Sequence, residues 1–292
     1  MVEFILTVAV SGAGKTTWAH QHDDTHLVVD SDEMRLRLFG DESFQGDNAR
    51  VFNEMLTITR NALRAGQSVI YAATNLVSKR RINLLKELRR EFPNVKYKCV
   101  VFNTPIEICR ERNSKRSRVV PAFVIDKQVK QFQMPFYNEG WDEIEIIKTT
   151  DYDANALAEK IWEDARAAGS QDNPHHTLTL YEHLQKAIER VDLNKCRNDM
   201  EQTHMLMAAG LHDIGKAYTR VYDDSGVAHY YSHENLSAYL SMNMGAPIEV
   251  IWLVNYHMYP YNPQAIPAWK NRLGEELWEK IMILHNADED AR

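Results

Sequence analysis

Phe4-Ile5-Leu6-Thr7-Val8-Ala9-Val10-Ser11-Gly12-Ala13-Gly14-Lys15-Thr16-Thr17 is the stretch on which the fold turns. An apolar, β-branched run ends in a glycine-rich turn and opens into Lys15-Thr16-Thr17-Trp18-Ala19, which predicts a strand, a turn and a helix in that order. Such a turn sets successive backbone N–H groups around a phosphate at the positive end of a helix dipole. The predicted cradle for ATP is Ser11, Gly12, Ala13, Gly14, Lys15, Thr16 and Thr17, with Lys15 reaching the β and γ phosphates and the Thr16 hydroxyl offered to magnesium. Ala9 stands where the usual pattern has its first glycine, a position alanine can hold if its φ stays negative.

Working outward, apolar segments recur at 4–10, 26–29, 68–71, 97–102 and 144–147, with helical patterns between them at 48–64 and 79–90. This alternation predicts an α/β domain, a parallel sheet with flanking helices. A helix is expected over 155–168, and the breaker-rich run 168–174 then marks a boundary between domains 1–170 and 171–292. Beyond it, 180–191, 200–211, 233–242, 248–256 and 275–285 read as helices, so the second domain is expected to be all-α.

The chain has 292 residues and a net charge of -7. Lys+Arg and Asp+Glu balance at 24 each over 1–170, and the acidic excess falls in 171–292, with 10 against 17. Within the balanced half, 79–118 holds 13 basic and 4 acidic residues, either a solvated helical face or a polyanion-binding surface. Three scattered cysteines, Cys99, Cys109 and Cys196, exclude a disulfide framework or a thiolate zinc site and favour a reducing compartment. No segment approaches the roughly 20 apolar residues of a membrane span, and the first residues lack a charged leader, so a cytoplasmic location without membrane contact is expected.

Two further features bear on the chemistry of the first domain. Asp30-Ser31-Asp32-Glu33-Met34-Arg35 follows the second predicted strand, at the carboxyl edge where ligands collect. A carboxylate there can accept a hydroxyl proton, or Asp30 or Ser31 can cap a helix. Arg110-Glu111-Arg112-Asn113-Ser114-Lys115-Arg116-Ser117-Arg118 gathers cations beyond the fourth strand, as a solvated turn or a catalytic lid.

Taken with the phosphate loop, Asp32-Glu33-Met34-Arg35, Thr74-Asn75-Leu76 and Arg112-Asn113-Ser114-Lys115-Arg116 closely resemble the 5′-hydroxyl polynucleotide kinases of tailed phages, over about residues 1–150. The resemblance implies a P-loop kinase fold, Asp32 as general base, Arg35 on the acceptor phosphate, and Arg116 clamping the donor phosphates with help from Arg112. Ala73 stands where that family carries an acid, so no role transfers there.

In the second domain, His183, His212, Asp213, His233, His257 and Asp288 are imidazole and carboxylate ligands on separate predicted helices, suited to divalent metals in a bundle core. His175, His176, His204, His229 and His285 are expected to be ordinary core or surface residues, with Asp290 a lesser alternative to Asp288. The ordered set, with His212-Asp213-Ile214-Gly215-Lys216 at its centre, resembles the HD phosphohydrolase superfamily over 176–292. That resemblance implies one metal on His183, His212, Asp213 and Asp288, and a second on His233 and His257 with Asp213 bridging, the ions being divalent transition metals such as manganese. Lys216 is then either a phosphate-orienting residue or a solvated one.

Together the two resemblances imply a bifunctional end-healing enzyme. It would phosphorylate 5′-hydroxyl polynucleotide ends with ATP and magnesium, and remove a 3′-phosphate or 2′,3′-cyclic phosphate. RNA is favoured over DNA, and sealing would fall to a separate ligase. The rival expectations are a small-molecule or nucleoside kinase joined to a nucleotide phosphohydrolase, and an ATP sensor that regulates an HD hydrolase.

Overall fold

The computed structural model describes residues 1–116, 118–174 and 177–292. Its first part runs β1 (Glu3–Val8), α1 (Lys15–His20), β2 (Leu27–Asp30), α2 (Ser31–Phe39), α3 (Asn48–Arg64), β3 (Val69–Ala72), α4 (Ser78–Glu91), β4 (Lys96–Asn103), α5 (Ile106–Ser114), α6 (Ala122–Val129) and β5 (Glu143–Lys148). The strands form one sheet, ordered β2-β3-β1-β4-β5, with every pairing parallel. Phe4, Leu6 and Val8 of β1 are fully buried, as a central strand covered on both faces requires. Because the order reverses about β1, the loop after it opens at the crevice where α/β sheets bind ligands.

The second part comprises α7 (Ala154–Ala167), α8 (Leu180–Arg190), α9 (Asp199–Leu211), α10 (Lys216–Thr219), the two-residue strands β6 (Val221–Tyr222) and β7 (Ala228–His229), then α11 (His233–Asn243), α12 (Ile248–Tyr256), α13 (Ile266–Leu273) and α14 (Glu275–Glu289). It is helical as expected, with one short antiparallel ribbon added. A turn over Asp223–Gly226, closed by the Gly226 amide donating to the Asp223 carbonyl at 3.0 Å, brings the two strands of that ribbon back on each other, too briefly to leave an alternating pattern. None of the described helices is long and apolar enough to cross a membrane.

The compact units divide elsewhere than at 168–174. One comprises Met1–Gln128 and Pro135–Asp151, the other Val129–Met134 and Tyr152–Arg292. Helix α7 belongs to the second. It buries Ile161 and Ala165, and Tyr218 donates to Asp164 at 2.7 Å. The breaker-rich run behind α7 is a pinned turn and not a linker: the Arg220 guanidinium donates to the Ala168 and Ser170 carbonyls, each at 2.7 Å, and Gln171 is buried.

Among the described residues, seven of the thirteen cations of 79–118 are engaged in ion pairs. Arg89 meets Asp142, Lys96 and Lys98 meet Glu143, Arg110 meets Asp126, and Lys115 meets Glu111. Arg81 is wholly buried against Glu139 (2.5 and 2.8 Å), which also accepts from the Trp141 indole at 2.8 Å. The same guanidinium donates to the Asn75 and Leu76 carbonyls at 2.9 and 3.0 Å, bracing the loop after β3. Removing one partner of such a pair strands the other charge, so Arg81→Ala is expected to destabilise the first unit by about 3–5 kcal/mol, read in urea unfolding of the full chain.

Candidate active sites

The phosphate loop takes its shape from two glycines. Gly12 has φ +87°, and a Cβ there would lie 2.2 Å from the Cys109 carbonyl oxygen; Gly14 has φ +94°. Among the described residues Ala9 is not at positive φ, so its methyl is tolerated. Lys15 Nζ lies 3.2 Å from the Thr16 hydroxyl and 3.5 Å from Asp30 Oδ2, to which Thr16 donates at 3.0 Å. The other oxygen of Asp30 accepts from the Asp32 and Glu33 amides at 2.7 and 3.4 Å. Asp30 therefore caps α2 and orders the cradle. Burial alone would raise its pKa, but the Lys15 ammonium and these donors together hold it below the usual carboxylate value.

A cavity of about 710 Å³ is lined by the whole loop from Ser11 to Thr17 and also by Asp32, Arg35, Arg112, Arg116 and Arg118. Asp32 Oδ1 accepts from Arg35 at 2.8 Å and lies 3.1 Å from Arg118 Nη1. Arg35 also donates to the Ser31 carbonyl (3.1 Å) and Asn48 Oδ1 (2.9 Å), and its buried Nε has no partner. Arg112 is anchored on Thr149, through the hydroxyl at 2.9 Å and the carbonyl at 3.2 Å. The Arg116 side chain is exposed at the rim and makes no hydrogen bond among the described residues.

Sequence reasoning did not single out three participants here: Arg118 as a partner of Asp32, Thr149 as the anchor of Arg112, and Gln128. The Gln128 carboxamide accepts from the Ser11 amide at 2.7 Å and donates to the Ser11 hydroxyl at 3.0 Å. Arg118 at least lay inside the cationic run; Thr149 and Gln128 come from distant, featureless stretches.

In the helical unit, the predicted ligands converge as two overlapping sets: His183, His212, Asp213 and Asp288, and Asp213, His233 and His257, each with donor atoms within 4.8 Å of one another. His212 caps the C-terminus of α9 and Asp213 opens the turn into α10. Gly215 lets this turn press on the start of α11, since a Cβ there would sit 2.4 Å from the His233 carbonyl oxygen. The contact brings His233 Nε2 to 3.0 Å from Asp213 Oδ1, with His257 Nε2 at 3.6 Å. On the other side, His183 Nε2 lies 3.3 Å from Asp213 Oδ2 and 3.2 Å from Asp288 Oδ1.

The imidazoles are oriented from behind. Nδ1 of His212, His233 and His257 faces the carbonyls of Ala209, Tyr230 and Val254 at 2.8, 2.7 and 2.7 Å, and that of His183 faces Ala291 at 3.3 Å. Held at Nδ1, each imidazole turns its Nε2 inward, the orientation of metal-ligating histidines. Asp213 Oδ1, His233 Nε2 and His257 Nε2 are buried with no hydrogen-bond partner, a disposition a cation satisfies. The donor set thus fits two divalent ions.

Burial works against charge throughout this cluster. At His212 the Asp213 and Asp288 carboxylates outweigh it and the pKa is pushed up to about 10, whereas burial dominates at His257 and lowers it. Asp213 and Asp288 overcome burial through their cationic neighbours, Lys216 and His212 first, and stay well below the usual carboxylate range.

Lys216 is buried, with Nζ 2.6 Å from Asp213 Oδ2 and 3.0 Å from Gln171 Oε1, so the solvated alternative is excluded. His204, His229 and His285 lie outside both sets, against Glu249, Asp223 and Glu289, and Asp290 is the exposed C-cap of α14. His175 and His176 fall outside the described residues.

The profile of the AAA domain family matches residues 4–137, and that of the HD domain family matches residues 175–291. No curated protein matches the chain. Among solved structures, the chain is similar to one in the Pnkp1/Rnl/Hen1 RNA repair complex, at 23% identity over 45% of this chain, with a TM-score of 0.39. It spans less than half of that protein, 44%. It is also similar to a gluconokinase from Sinorhizobium meliloti, at 15% identity over 56% of this chain and 97% of that one, with a TM-score of 0.36. With a parallel sheet that opens on a phosphate loop and a helical unit built around the His-Asp turn, the chain carries an AAA-type P-loop domain followed by an HD domain.

Proposed function

We propose that this chain heals nucleic-acid ends, its P-loop domain phosphorylating 5′-hydroxyl termini from ATP and its HD domain hydrolysing a 3′-phosphate or 2′,3′-cyclic phosphate. The observation that carries the reading is the shared cavity of Lys15, Asp32, Arg35 and Arg116, which sets an acid and a guanidinium for an acceptor opposite the cradle for the donor. In the transfer, the 5′ oxygen attacks the γ-phosphorus, its proton passes to Asp32, and the bond to the bridging oxygen of ADP breaks. Lys15 and Arg116, helped by Arg112, balance the charge spreading over the transferred group. Thr16 is the ligand this chain offers to magnesium.

In the HD domain, His183, His212, Asp213 and Asp288 would hold one divalent ion and Asp213, His233 and His257 the other. Such ions supply Lewis acidity toward a phosphate and acidify water. The chain's own part is to keep Asp213 oriented between the two sets through Lys216, and Asp288 through the Tyr261 hydroxyl, which donates to its Oδ2 at 2.7 Å. RNA is the preferred end, and a separate ligase completes the repair.

The kinase half is tested by incubating the chain with γ-labelled ATP, magnesium and single-stranded RNA or DNA bearing a 5′-hydroxyl, with Lys15→Ala as control. Label on RNA that depends on Lys15 is the expected result, and label on neither polymer would sink the reading. One observation favours a small acceptor instead: among the described residues, seven of the thirteen cations of 79–118 are engaged in ion pairs with the chain's own acids. Transfer to a free nucleoside but not to an oligonucleotide would establish that second reading.

A further inference from the structure

Val129–Met134 lies within the stretch matched by the AAA profile, yet it packs as part of the helical unit. Its main chain is read by two asparagines. Asn255 Oδ1 accepts from the Met134 amide at 2.6 Å, while Asn255 Nδ2 donates to the Phe132 carbonyl at 3.2 Å and to Asn235 Oδ1 at 2.9 Å. Asn235 Nδ2 donates in turn to the Lys130 carbonyl at 2.9 Å, and the Tyr256 hydroxyl to the Met134 carbonyl at 2.5 Å. The Phe132 ring meets Tyr239 edge-on at 5.2 Å. Asn255 and Tyr256 are 0% exposed and Asn235 8%, so these polar groups have no recourse to bulk water.

Each asparagine stands two residues from a candidate metal ligand. Asn235 follows His233 at the start of α11, and Asn255 precedes His257 at the end of α12. Two residues on a helix differ by roughly 200°, so a ligand facing Asp213 places its neighbouring asparagine on the opposite side, toward the 129–134 segment. The Asn235–Asn255 hydrogen bond ties the two helix ends together, behind imidazoles whose rings lie 5.4 Å apart.

We infer that Asn235, Asn255 and the segment Val129–Met134 are positioning elements of the metal position formed by Asp213, His233 and His257. The segment supplies the remaining partners of both carboxamides and so locks them facing each other. Without it, Asn255 would bury an acceptor and a donor unpaired, a state relieved by turning away from Asn235 and releasing the spacing of the two histidines. The other position has its own supports, the Ala209 and Ala291 carbonyls and the Tyr261 hydroxyl. Loss of the segment's contacts should therefore weaken one metal position and spare the other. This inference rests on the two-position reading of the HD domain.

The test is a titration of the full-length, metal-stripped chain with manganese(II), followed by electron paramagnetic resonance and by mass spectrometry of the loaded protein. The natural chain should take two ions and show the spectrum of a spin-coupled pair. Asn255→Ala should bind the first ion unchanged, bind the second about 10- to 100-fold more weakly, and lose the coupled signal. Phe132→Ala, which leaves both asparagines in place, should move in the same direction, and retention of its first ion certifies its fold. Two ions at natural affinity in both variants would overturn the inference. So would parallel weakening of both positions, which would mark the segment as general scaffolding. A natural chain that takes only one ion would fail earlier and differently, by removing the two-position reading itself.

Discussion

A chain that stops before Asp288 is expected to lose the proposed phosphohydrolase activity and to keep the proposed kinase activity. Asp288 lies in the last turn of α14, 3.2 Å from His183 Nε2 and 3.4 Å from His212 Nε2. The stop removes this carboxylate and also Ala291, whose carbonyl faces His183 Nδ1. The first metal position then keeps His183, His212 and Asp213 but loses a ligand and the brace of a second. Metal assistance is worth several kcal/mol to a phosphate transition state, so a fall of about 10³-fold or more is expected. Asp288→Ala in the full chain should match it with α14 intact. Hydrolysis of a 3′-phosphorylated oligonucleotide and label transfer from ATP, measured on the same preparations, check both halves. Phosphatase activity that survives the stop would show the ligand assignment to be wrong, whereas loss of both activities would point to a chain that no longer folds.

Arg116→Ala is expected to cost the kinase at least as much as Asp32→Ala. A guanidinium that stabilises the transferring phosphoryl group contributes about 10³- to 10⁵-fold, against about 10²- to 10⁴-fold for a general base. The two sites also differ in what they do for the fold. The Arg116 side chain is exposed and makes no hydrogen bond among the described residues, so its truncation should leave the urea midpoint unchanged. Asp32 receives Arg35 and Arg118 on one oxygen, so its truncation leaves two guanidinium groups facing each other and should lower stability as well as rate. Steady-state kinase rates and urea unfolding of both variants separate these effects. A fully active Arg116→Ala chain would remove the lid from the mechanism.

Where local pattern decides structure, the chain could be read directly. The five strands lie within about two residues of the apolar runs, and the central ones, β1 and β3, are apolar nearly throughout because they are buried on both faces. Helix α3 spans Asn48–Arg64 as its periodicity requires. Composition misled at 168–174, where a polar, breaker-rich string looks like a linker but is held by Arg220 and buries Gln171. Over 79–118 the run of cations shows nothing of the acids, such as Asp126, Asp142 and Glu143, that pair with some of it from elsewhere in the chain.

Motif chemistry belonged to the sequence alone: a phosphate cradle needs glycines at fixed spacing before Lys15, and metal ligands can come only from a few residue types. Tertiary structure decided which of those residues meet. It separated Asp30, which caps α2, from Asp32, which faces the cavity; it put Lys216 on Asp213; and it gave Val129–Met134 to the helical unit. The physical reason is that these contacts join residues far apart in the chain or hang on the direction a single side chain takes. Packing determines both, and neither leaves a periodic trace in the order of amino acids.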